Sequence, residues 1–263
     1  MPRLNTRWAI AITAAILLLS GCLLLALKFW PESFWQPLEH ELEQKYGIRI
    51  ELESIMFPAS FRAQKARFRE TLPIERADVL ERLSLDLSRY PAAFIDKYLN
   101  GIVIVRSLEL NGLPYGGTYD VASRRIFLDS GWLGDDGSKD EAMGLHHEFS
   151  SLLMRLNPDI FNTPDWAALN PKDFKYRFSA STAANLATNR LDLVGRPQLW
   201  KQGFLCEYGQ LTLEDDINTF AQYLVTGKQR WPDLVQQYPQ LSPKMQLLRR
   251  WYCALELFQC AES

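Results

Sequence analysis

The sequence predicts an α+β protein with a small mixed sheet and helices packed on it. Helical periodicity opens the body of the chain, segments of strand character follow, and the second half returns to helices. This order is typical of α+β domains. The composition, 47% hydrophobic and 23% charged, is that of a folded protein. A chain of 263 residues suits one domain of roughly 200 residues plus an anchor.

The first segment is a predicted membrane anchor at residues 1–30. No charged residue occurs over residues 8–27, and Arg3 and Arg7 precede this run. About 20 apolar residues in a helix span the hydrocarbon layer of a bilayer, and basic residues before the run favour a cytoplasmic N-terminus. We therefore expect a single-pass inner-membrane protein whose body, residues 31–263, lies in the periplasm.

A second interpretation of this segment uses the sequence LSGC, which ends at Cys22. Small residues before a cysteine resemble a bacterial lipoprotein cleavage site, after which Cys22 would be acylated. The apolar residues that continue after Cys22 favour the uncleaved anchor. Both interpretations place the body on the same side of the membrane.

The body begins with a predicted helix at residues 33–46, which Gly47 ends. The alternating sequence IRIELES predicts a half-buried strand, and two helical pieces follow it on either side of Pro91. The β-branched sequence GIVIVRSLELNG predicts the next strand, which ends at the turn pair Asn111 and Gly112. The sequence GGTYDVASRRIFLDS supplies two more short strands around a turn.

The next predicted helix begins at a capping box. Ser138 and Glu141 have the spacing of this motif, and the helix reaches about Leu156, before an Asn-Pro pair. Residues 157–205 show few periodic signals, so they predict long loops with short helices.

Two further helices are predicted near the end of the chain. Thr212 and Asp215 form another box-like start for a helix over residues 213–226. Ser242 and Pro243 begin the last helix in the N-cap and N1 roles.

The body contains three cysteines, Cys206, Cys253 and Cys260. In an oxidising compartment two of them can pair. Cys253 and Cys260 lie seven residues apart in what looks like one helix, which separates them by roughly 10 Å and prevents a disulfide unless the helix breaks. A bridge from Cys206 to one of them and three buried thiols are the alternatives. The absence of CxxC spacing argues against a cysteine zinc site.

The charge distribution gives no support to nucleic-acid binding. The formal net charge is -2, and acidic and basic residues are interspersed along the chain. The sequence has no basic block and no basic-aromatic stripe, so we expect no nucleic-acid partner.

The segment GLHHEFSS places His147, Glu148 and Ser151 in a pattern that resembles a metal-binding helix. Positions i and i+4 project from the same face, so His147 and Ser151 point the same way. Metallopeptidases put two histidines there to bind Zn²⁺, and the glutamate after the first accepts a proton from the metal-bound water. The pattern predicts His147 as a zinc ligand, Glu148 as general base and Ser151 in the place of the second ligand.

The helix over residues 213–226 supplies candidates for the rest of the site. Glu214 and Asn218 lie on a stripe beside its apolar face, so we expect both to point into a cavity shared with His147. Tyr208 lies just before this helix, and its phenol can donate a hydrogen bond to an oxyanion.

These motifs resemble the zinc-dependent metallopeptidases of the gluzincin type. Over residues 73–226 the resemblance is to the anthrax lethal factor-like peptidases and to bacterial zinc-binding metallopeptidases. GLHHEFSSLL resembles their zinc-binding helix, and GFLCEYGQLTLEDDINTFAQYL resembles the segment that carries their tyrosine and third ligand. The resemblance implies a zincin-like fold, one zinc ion and peptide hydrolysis. It also implies His147 as first ligand, Glu148 as base and Tyr208 as catalytic tyrosine.

Two positions depart from the pattern of this family. Ser151 replaces the second histidine, and Asn218 takes the place of the glutamate ligand when residues 221–222 are aligned with the Ala-Glu pair of the family. Both side chains are neutral and bind zinc weakly. One alternative is a modified site of His147, Glu214 and water. The other is a hydrogen bond between Ser151 and Asn218 in the place of the metal.

Three functions are compatible with the sequence. The first is a membrane-anchored, extracytoplasmic zinc metallopeptidase with an altered metal site. The second is an inactive pseudo-peptidase that binds a peptide, a cell-wall component or a partner protein. The third is a structural membrane-tethered domain with an accidental resemblance. The first two require His147, Ser151 and Asn218 to converge.

Overall fold

The structure is a computed structural model that describes residues 32–53, 55–132, 144–178, 195–226 and 231–258. The predicted anchor at residues 1–30 and the capping box of Ser138 and Glu141 lie outside these residues. Within the part of the chain that the structure describes, none of the helices combines the length and the apolar character needed to cross a bilayer.

The first half of the chain contains the strands and four helices. In chain order these are α1 (Gln36–Tyr46), β1 (Arg49–Glu51), α2 (Ala59–Ala63), β2 (Arg67–Glu70), α3 (Pro73–Leu87), α4 (Ala92–Tyr98), β3 (Gly101–Leu110), β4 (Leu113–Tyr115), β5 (Gly117–Asp120) and β6 (Arg125–Asp129).

The described residues of the second half form helices. These are α5 (Gly144–Leu156), α6 (Thr163–Ala167), α7 (Pro197–Trp200), α8 (Leu213–Thr226), α9 (Trp231–Gln237) and α10 (Ser242–Ala254). A 3₁₀ turn at Tyr208–Gln210 leads into α8.

The sheet has the order β1-β3-β6-β5, and β2 and β4 pair with the far end of β3. β1 and β6 run parallel to β3, whereas the other pairs are antiparallel, so the prediction of a mixed sheet is confirmed. Val105 pairs with Glu70 of β2 and with Asp129 of β6. Because β6 occupies one side of β3, β2 lies on the other side, in line with β1.

Side chains of β3 alternate between two cores, as the pleat of a strand requires. Ile102 and Ile104 face the main core beneath the helices. Val103 and Val105 face a smaller cluster on the other side of the sheet, built around aromatic rings that include Phe61. The main core fixes α5 and α8 against the sheet, and these two helices carry the predicted site.

Two local predictions near helix ends are confirmed. Gly47 has a φ of 66° and its N–H donates to the carbonyl of Glu43, which makes it the C-cap of α1. α8 spans the predicted residues, and the backbone N–H of Asp215 donates to Oγ1 of Thr212 at 3.0 Å.

The predictions for the last helix need correction. Ser242 is the first helical residue of α10 and Leu241 holds the cap position, so Ser242 is not the N-cap. The helix ends at Ala254, and Glu256 has a left-handed φ of 67°, so no single helix carries the segment from Cys253 onward. Because the helix ends here, the helical spacing that argued against a disulfide between Cys253 and Cys260 no longer applies.

The cysteine predictions are partly corrected as well. Cys253 is disulfide-bonded. Cys206 keeps a buried thiol. A bridge between Cys206 and the last helix is therefore wrong, and so is the alternative of three thiols.

A buried ion pair joins α8 to α10. Lys244 donates to Oδ2 of Asp216 at 2.7 Å, and the two side chains are 1% and 0% exposed. Trp166 and Tyr176 each donate to the same oxygen at 2.9 Å, and the ammonium lies 3.8 Å from the ring centroid of Phe204. Despite these hydrogen bonds, burial raises the pKa of Asp216 and lowers that of Lys244, so each group depends on the other to stay charged, and the pair links α8 to α10.

We predict that Lys244→Met lowers the free energy of unfolding by about 3–5 kcal/mol, because it leaves the Asp216 carboxylate buried without its cation. The matched control is the double variant Asp216→Asn/Lys244→Met, which removes both charges and should recover most of the loss. Denaturant unfolding of the three proteins measures both quantities. Equal losses in the single and double variants would show that the uncompensated charge of Asp216 is not what destabilises Lys244→Met.

Candidate functional site

The predicted site lies in a polar seam between the antiparallel helices α5 and α8. Three side chains four residues apart on α5 each meet one of three side chains four residues apart on α8. The pairs are His147 with Gln222 (Nδ1 to Nε2, 3.1 Å), Ser151 with Asn218 (Oγ to Nδ2, 2.7 Å) and Arg155 with Glu214 (Nη2 to Oε2, 2.5 Å).

The antiparallel direction of the helices produces this register. Each step of four residues forward on α5 meets a step of four residues backward on α8, so three pairs align over two helical turns. Apolar side chains pack beside the seam, among them Phe149 and Leu152 of α5 and Ile217 and Phe220 of α8. The polar pairs therefore lie between packed apolar flanks, which seal the middle pair from water.

The middle pair consists of two predicted zinc ligands. Ser151 is 2% exposed and Asn218 is fully buried. The Asn218 amide donates to the Ser151 hydroxyl, and the Oδ1 atom of Asn218 has no hydrogen-bond partner among the described residues. The hydrogen bond between these residues that the sequence offered as one alternative is present. Both groups are neutral and bind zinc weakly, and the hydroxyl and the amide nitrogen are already engaged with each other.

His147 lies at one end of the seam among polar and aromatic groups. Besides Gln222, it approaches Asp215, with 3.6 Å from Nε2 to Oδ1, and its ring centroid is 5.5 Å from that of Tyr208. Burial lowers the pKa of His147, but the hydrogen bond to Asp215 and the charges of Glu148 and Asp215 outweigh it, and the pKa is raised. His147 is thus held as a hydrogen-bonding imidazole that gains a proton readily.

Glu148 points from α5 toward the sheet. A Cβ atom on Gly117 of β5 would lie 2.7 Å from Cγ of Glu148, so the glycine lets the strand backbone approach this side chain closely. Burial raises the pKa of Glu148 to about 7; His147 opposes the rise, and Glu214 and Asp215 add to it. A carboxyl group with this pKa exchanges protons near neutral pH, as a general base does.

Tyr208 lies in the turn that leads into α8. Its hydroxyl forms a hydrogen bond with Asp215, and burial raises the pKa of the phenol well above its usual range. The side chain therefore stays protonated and lies beside His147, in the region where the sequence predicted an oxyanion donor.

Glu214 does not point toward His147. Its carboxylate accepts hydrogen bonds from Arg155 and from the hydroxyl of Tyr119 on β5, the latter at 2.9 Å. Two turns of α8, about 12 Å along the axis, separate Glu214 from Gln222, the partner of His147. Zinc–ligand bonds are only about 2 Å long, and this arrangement does not bring His147 and Glu214 to one point, so the set of His147, Glu214 and water stays a prediction.

The donor set as a whole does not fit a zinc centre of the peptidase type. Such a centre takes three protein ligands from histidine, cysteine and carboxylate side chains. Within the described ranges, no three side chains of these types lie close enough together to hold an ion. The seam offers one imidazole, and its neighbours Ser151, Asn218 and Gln222 are neutral and hydrogen-bonded within the seam.

Some residues of the seam were missed by reasoning from sequence. Asp215 belongs to an acidic run that the helix dipole explains, so it carried no signal of a contact with His147. Gln222 and Arg155 do carry a signal. They extend the spacing of four residues that Asn218 and Ser151 define, and a search for matching periods on both helices would have found them.

Comparisons with known proteins give one structural likeness. No protein-family profile matches the chain, and no curated protein matches it. Among solved structures, the chain is similar to a protein from Bacteroides caccae described as a "putative zinc-binding metallo-peptidase". The two share 12% sequence identity with a TM-score of 0.47, over 86% of this chain and 88% of that one.

We predict a coupling energy of about 0.5–3 kcal/mol between Ser151 and Asn218 in a cycle of Ser151→Ala, Asn218→Ala and the double variant. Each single change leaves a buried polar group without its partner, which costs about 1–3 kcal/mol, whereas the double change removes both groups. Denaturant unfolding measures the four free energies. Strictly additive losses would mean that the hydrogen bond does not hold the helices together.

The His147–Asp215 contact predicts a pH-dependent stability. The pKa of His147 is raised in the folded state. The contact therefore contributes fully to the free energy of unfolding below the unfolded-state pKa of about 6.5, and this contribution disappears as the pH rises through the folded-state pKa. Asp215→Asn keeps an oxygen for the Thr212 cap but loses the charge. Its loss of unfolding free energy should be larger near pH 5.5 than near pH 8.5, and a loss independent of pH would contradict the contact.

Proposed function

We propose that this chain is a metallopeptidase-like protein that binds a peptide or an extended protein segment without zinc-dependent cleavage. The hydrogen bond between Ser151 and Asn218 carries the proposal, because it fills the place between α5 and α8 where a second and a third zinc ligand are required. His147 and Glu148 remain as a polar pair that can orient a bound ligand.

The edge of the sheet beside this pair is suited to an extended ligand. β5 pairs with β6 on one side, and no strand among the described residues pairs with its other side. The N–H of Asp129 donates to the carbonyl of Gly116, so by the alternation of an antiparallel pair the backbone groups of Gly117 and Tyr119 point away from β6. Such an edge binds extended peptides through main-chain hydrogen bonds.

The side chains near this edge favour a polar peptide backbone over a purely apolar ligand. Glu148 packs on Gly117, and the hydroxyl of Tyr119 contacts Arg155 and Glu214. His147 and Tyr208 lie at the other end of the same seam. Donors and acceptors are therefore spread along the edge, which is the arrangement that fixes the register of a bound strand.

The proposal includes attachment to a membrane. The uncharged run over residues 8–27, with Arg3 and Arg7 before it, supports a single inner-membrane span with the body in the periplasm. Acylation at Cys22 is the alternative form of attachment. In both forms the body of the protein lies outside the cytoplasm.

Zinc binding tests the proposal directly. The full chain, purified in detergent without a metal-binding tag and equilibrated with excess Zn²⁺, should retain far less than one equivalent after desalting. The variant Ser151→His/Asn218→Glu restores two ligand types in contact with each other and should gain close to one equivalent. Plasma mass spectrometry measures both.

The control for this experiment is Ser151→Gln/Asn218→Gln, which adds similar volume without good zinc ligands. Circular dichroism reports whether the variants fold, and the wild-type measurement stands by itself if they do not. One equivalent of zinc in the wild-type chain, together with cleavage of unstructured peptides, would show that the chain is a zinc peptidase and overturn the proposal.

Peptide binding gives an independent prediction. Peptides are first selected from a displayed random library against the full chain. The variant Glu148→Ala/Tyr208→Ala, which removes two polar groups of the site, should bind them about tenfold or more weakly. Thr118→Ala is the matched control, since its side chain points to the opposite face of β5 from Gly117 and Tyr119. Equal affinities of the wild type and the two variants would show that the peptides bind at another part of the protein.

A further inference from the structure

We infer that the peptide bound at β5 carries a lysine or arginine side chain, which pairs with the carboxylate of Glu148. The inference rests on the proposed function, since it names the class of peptide that the same edge recognises. It follows from the position of Glu148 against the edge strand, from the engagement of the nearby cations with other groups, and from the direction of side chains on an added strand.

Glu148 lies directly against the helix-facing side of β5. An ideal Cβ atom on Gly117 would lie 2.7 Å from Cγ and 3.1 Å from Oε1 of Glu148. The carboxyl group therefore fills the space in which a side chain at position 117 would begin, which only a glycine allows. Glu148 keeps partial exposure, whereas Ser151 and Asn218 deeper in the seam are buried. The edge strand thus carries, at this one position, a carboxyl group that belongs to α5.

The Glu148 carboxylate has no cation bonded to it in the part of the chain that the structure describes. It forms no hydrogen bond and no ion pair there, and the charges of Glu214 and Asp215 are near enough to repel it. Glu214 is already paired with Arg155, so this guanidinium is engaged. A partly buried carboxylate without a partner is unfavourable, and a cation brought by a ligand relieves this cost.

The imidazole of His147 is directed at other groups. Its Nε2 atom lies 3.6 Å from Oδ1 of Asp215, and its Nδ1 atom lies 3.1 Å from the amide nitrogen of Gln222. Both of these residues belong to α8, so both ring nitrogens are directed at that helix. His147 attracts the Glu148 carboxylate through space but forms no bond with it. A direct partner for Glu148 is therefore expected from the ligand.

A strand added to β5 brings a side chain to this carboxylate. Residues directly opposite each other on neighbouring strands project from the same face, with Cβ atoms about 4.5–5.5 Å apart. The ligand residue opposite Gly117 thus begins about 5 Å from the Cβ position against which Glu148 packs. Lysine and arginine side chains are long enough to cover this distance, and their N–H groups form strong hydrogen bonds with a carboxylate.

The positive charge is expected at one position of the peptide. The ligand residues on either side of the one opposite Gly117 project from the other face of the sheet. The residue opposite Tyr119 projects from the same face, but the phenol there contacts Glu214 and Arg155, which compensate each other. A general attraction of cations to the protein would instead enrich basic residues along the whole peptide.

The test uses peptides from a displayed random library, selected against the full chain near pH 8. Burial raises the pKa of Glu148 to about 7, so the carboxyl is mostly ionised at this pH. One aligned position should be enriched in lysine and arginine. Replacing that residue by glutamine should weaken binding to the wild type about tenfold, because a hydrogen bond between charged groups is lost. Fluorescence polarisation measures the affinities.

The variant Glu148→Gln assigns the effect to this carboxylate. It keeps the shape of the side chain and removes the charge, so the two peptides should differ in affinity for it by less than about twofold. Glu109→Gln is the matched control, since it removes an exposed negative charge of β3 and should keep the full tenfold difference expected of the wild type. Circular dichroism reports whether the variants fold, and the enrichment in the wild-type selection stands by itself if they do not.

Three outcomes would overturn the inference. Selected peptides without an enriched basic position would refute it and leave the proposed peptide binding intact. An equal loss of affinity in the wild type and in Glu148→Gln, on replacing the basic residue, would show that another part of the protein recognises the charge. A selection that gives no binding peptide would refute the proposed function, and the inference with it.

Discussion

The packing of α5 against α8 is the constraint on which the site depends. The two helices run antiparallel, and a period of four residues on each aligns three polar pairs between apolar flanks. The central pair, Ser151 and Asn218, is sealed from water, so its members must satisfy each other. This pair holds the helices together and engages the hydroxyl of Ser151 and the amide nitrogen of Asn218, whereas Oδ1 of Asn218 has no hydrogen-bond partner among the described residues.

Other parts of the fold keep this helix pair in place and expose its ends. The buried pair of Asp216 and Lys244 ties α8 to α10, and Gly117 allows β5 to cover Glu148 closely. Glu148 therefore lies against β5, whose outer edge meets no other strand among the described residues, while His147 and Tyr208 contact each other at the same end of the seam.

Much of this arrangement could be predicted from sequence because it depends on local patterns. The β-branched content of β3, the cap at Gly47 and the box of Thr212 and Asp215 each depend on residues close in sequence, and each has the expected structure. β2 was not predicted, because RFRE carries three charged residues and gains its place only by pairing with β3. The contacts of Glu214 and Asp215 were not predicted either, since they depend on how two distant helices meet.

The central claim is that Ser151 and Asn218 bond to each other between α5 and α8 and do not bind a metal ion. A crystal structure of the full chain grown with excess Zn²⁺, with anomalous data collected at the zinc edge, tests it most directly. The account predicts Oγ of Ser151 within hydrogen-bond distance of Nδ2 of Asn218 and no anomalous peak bonded to His147. A strong peak about 2 Å from the His147 imidazole, with those two side chains parted around it, would contradict the account.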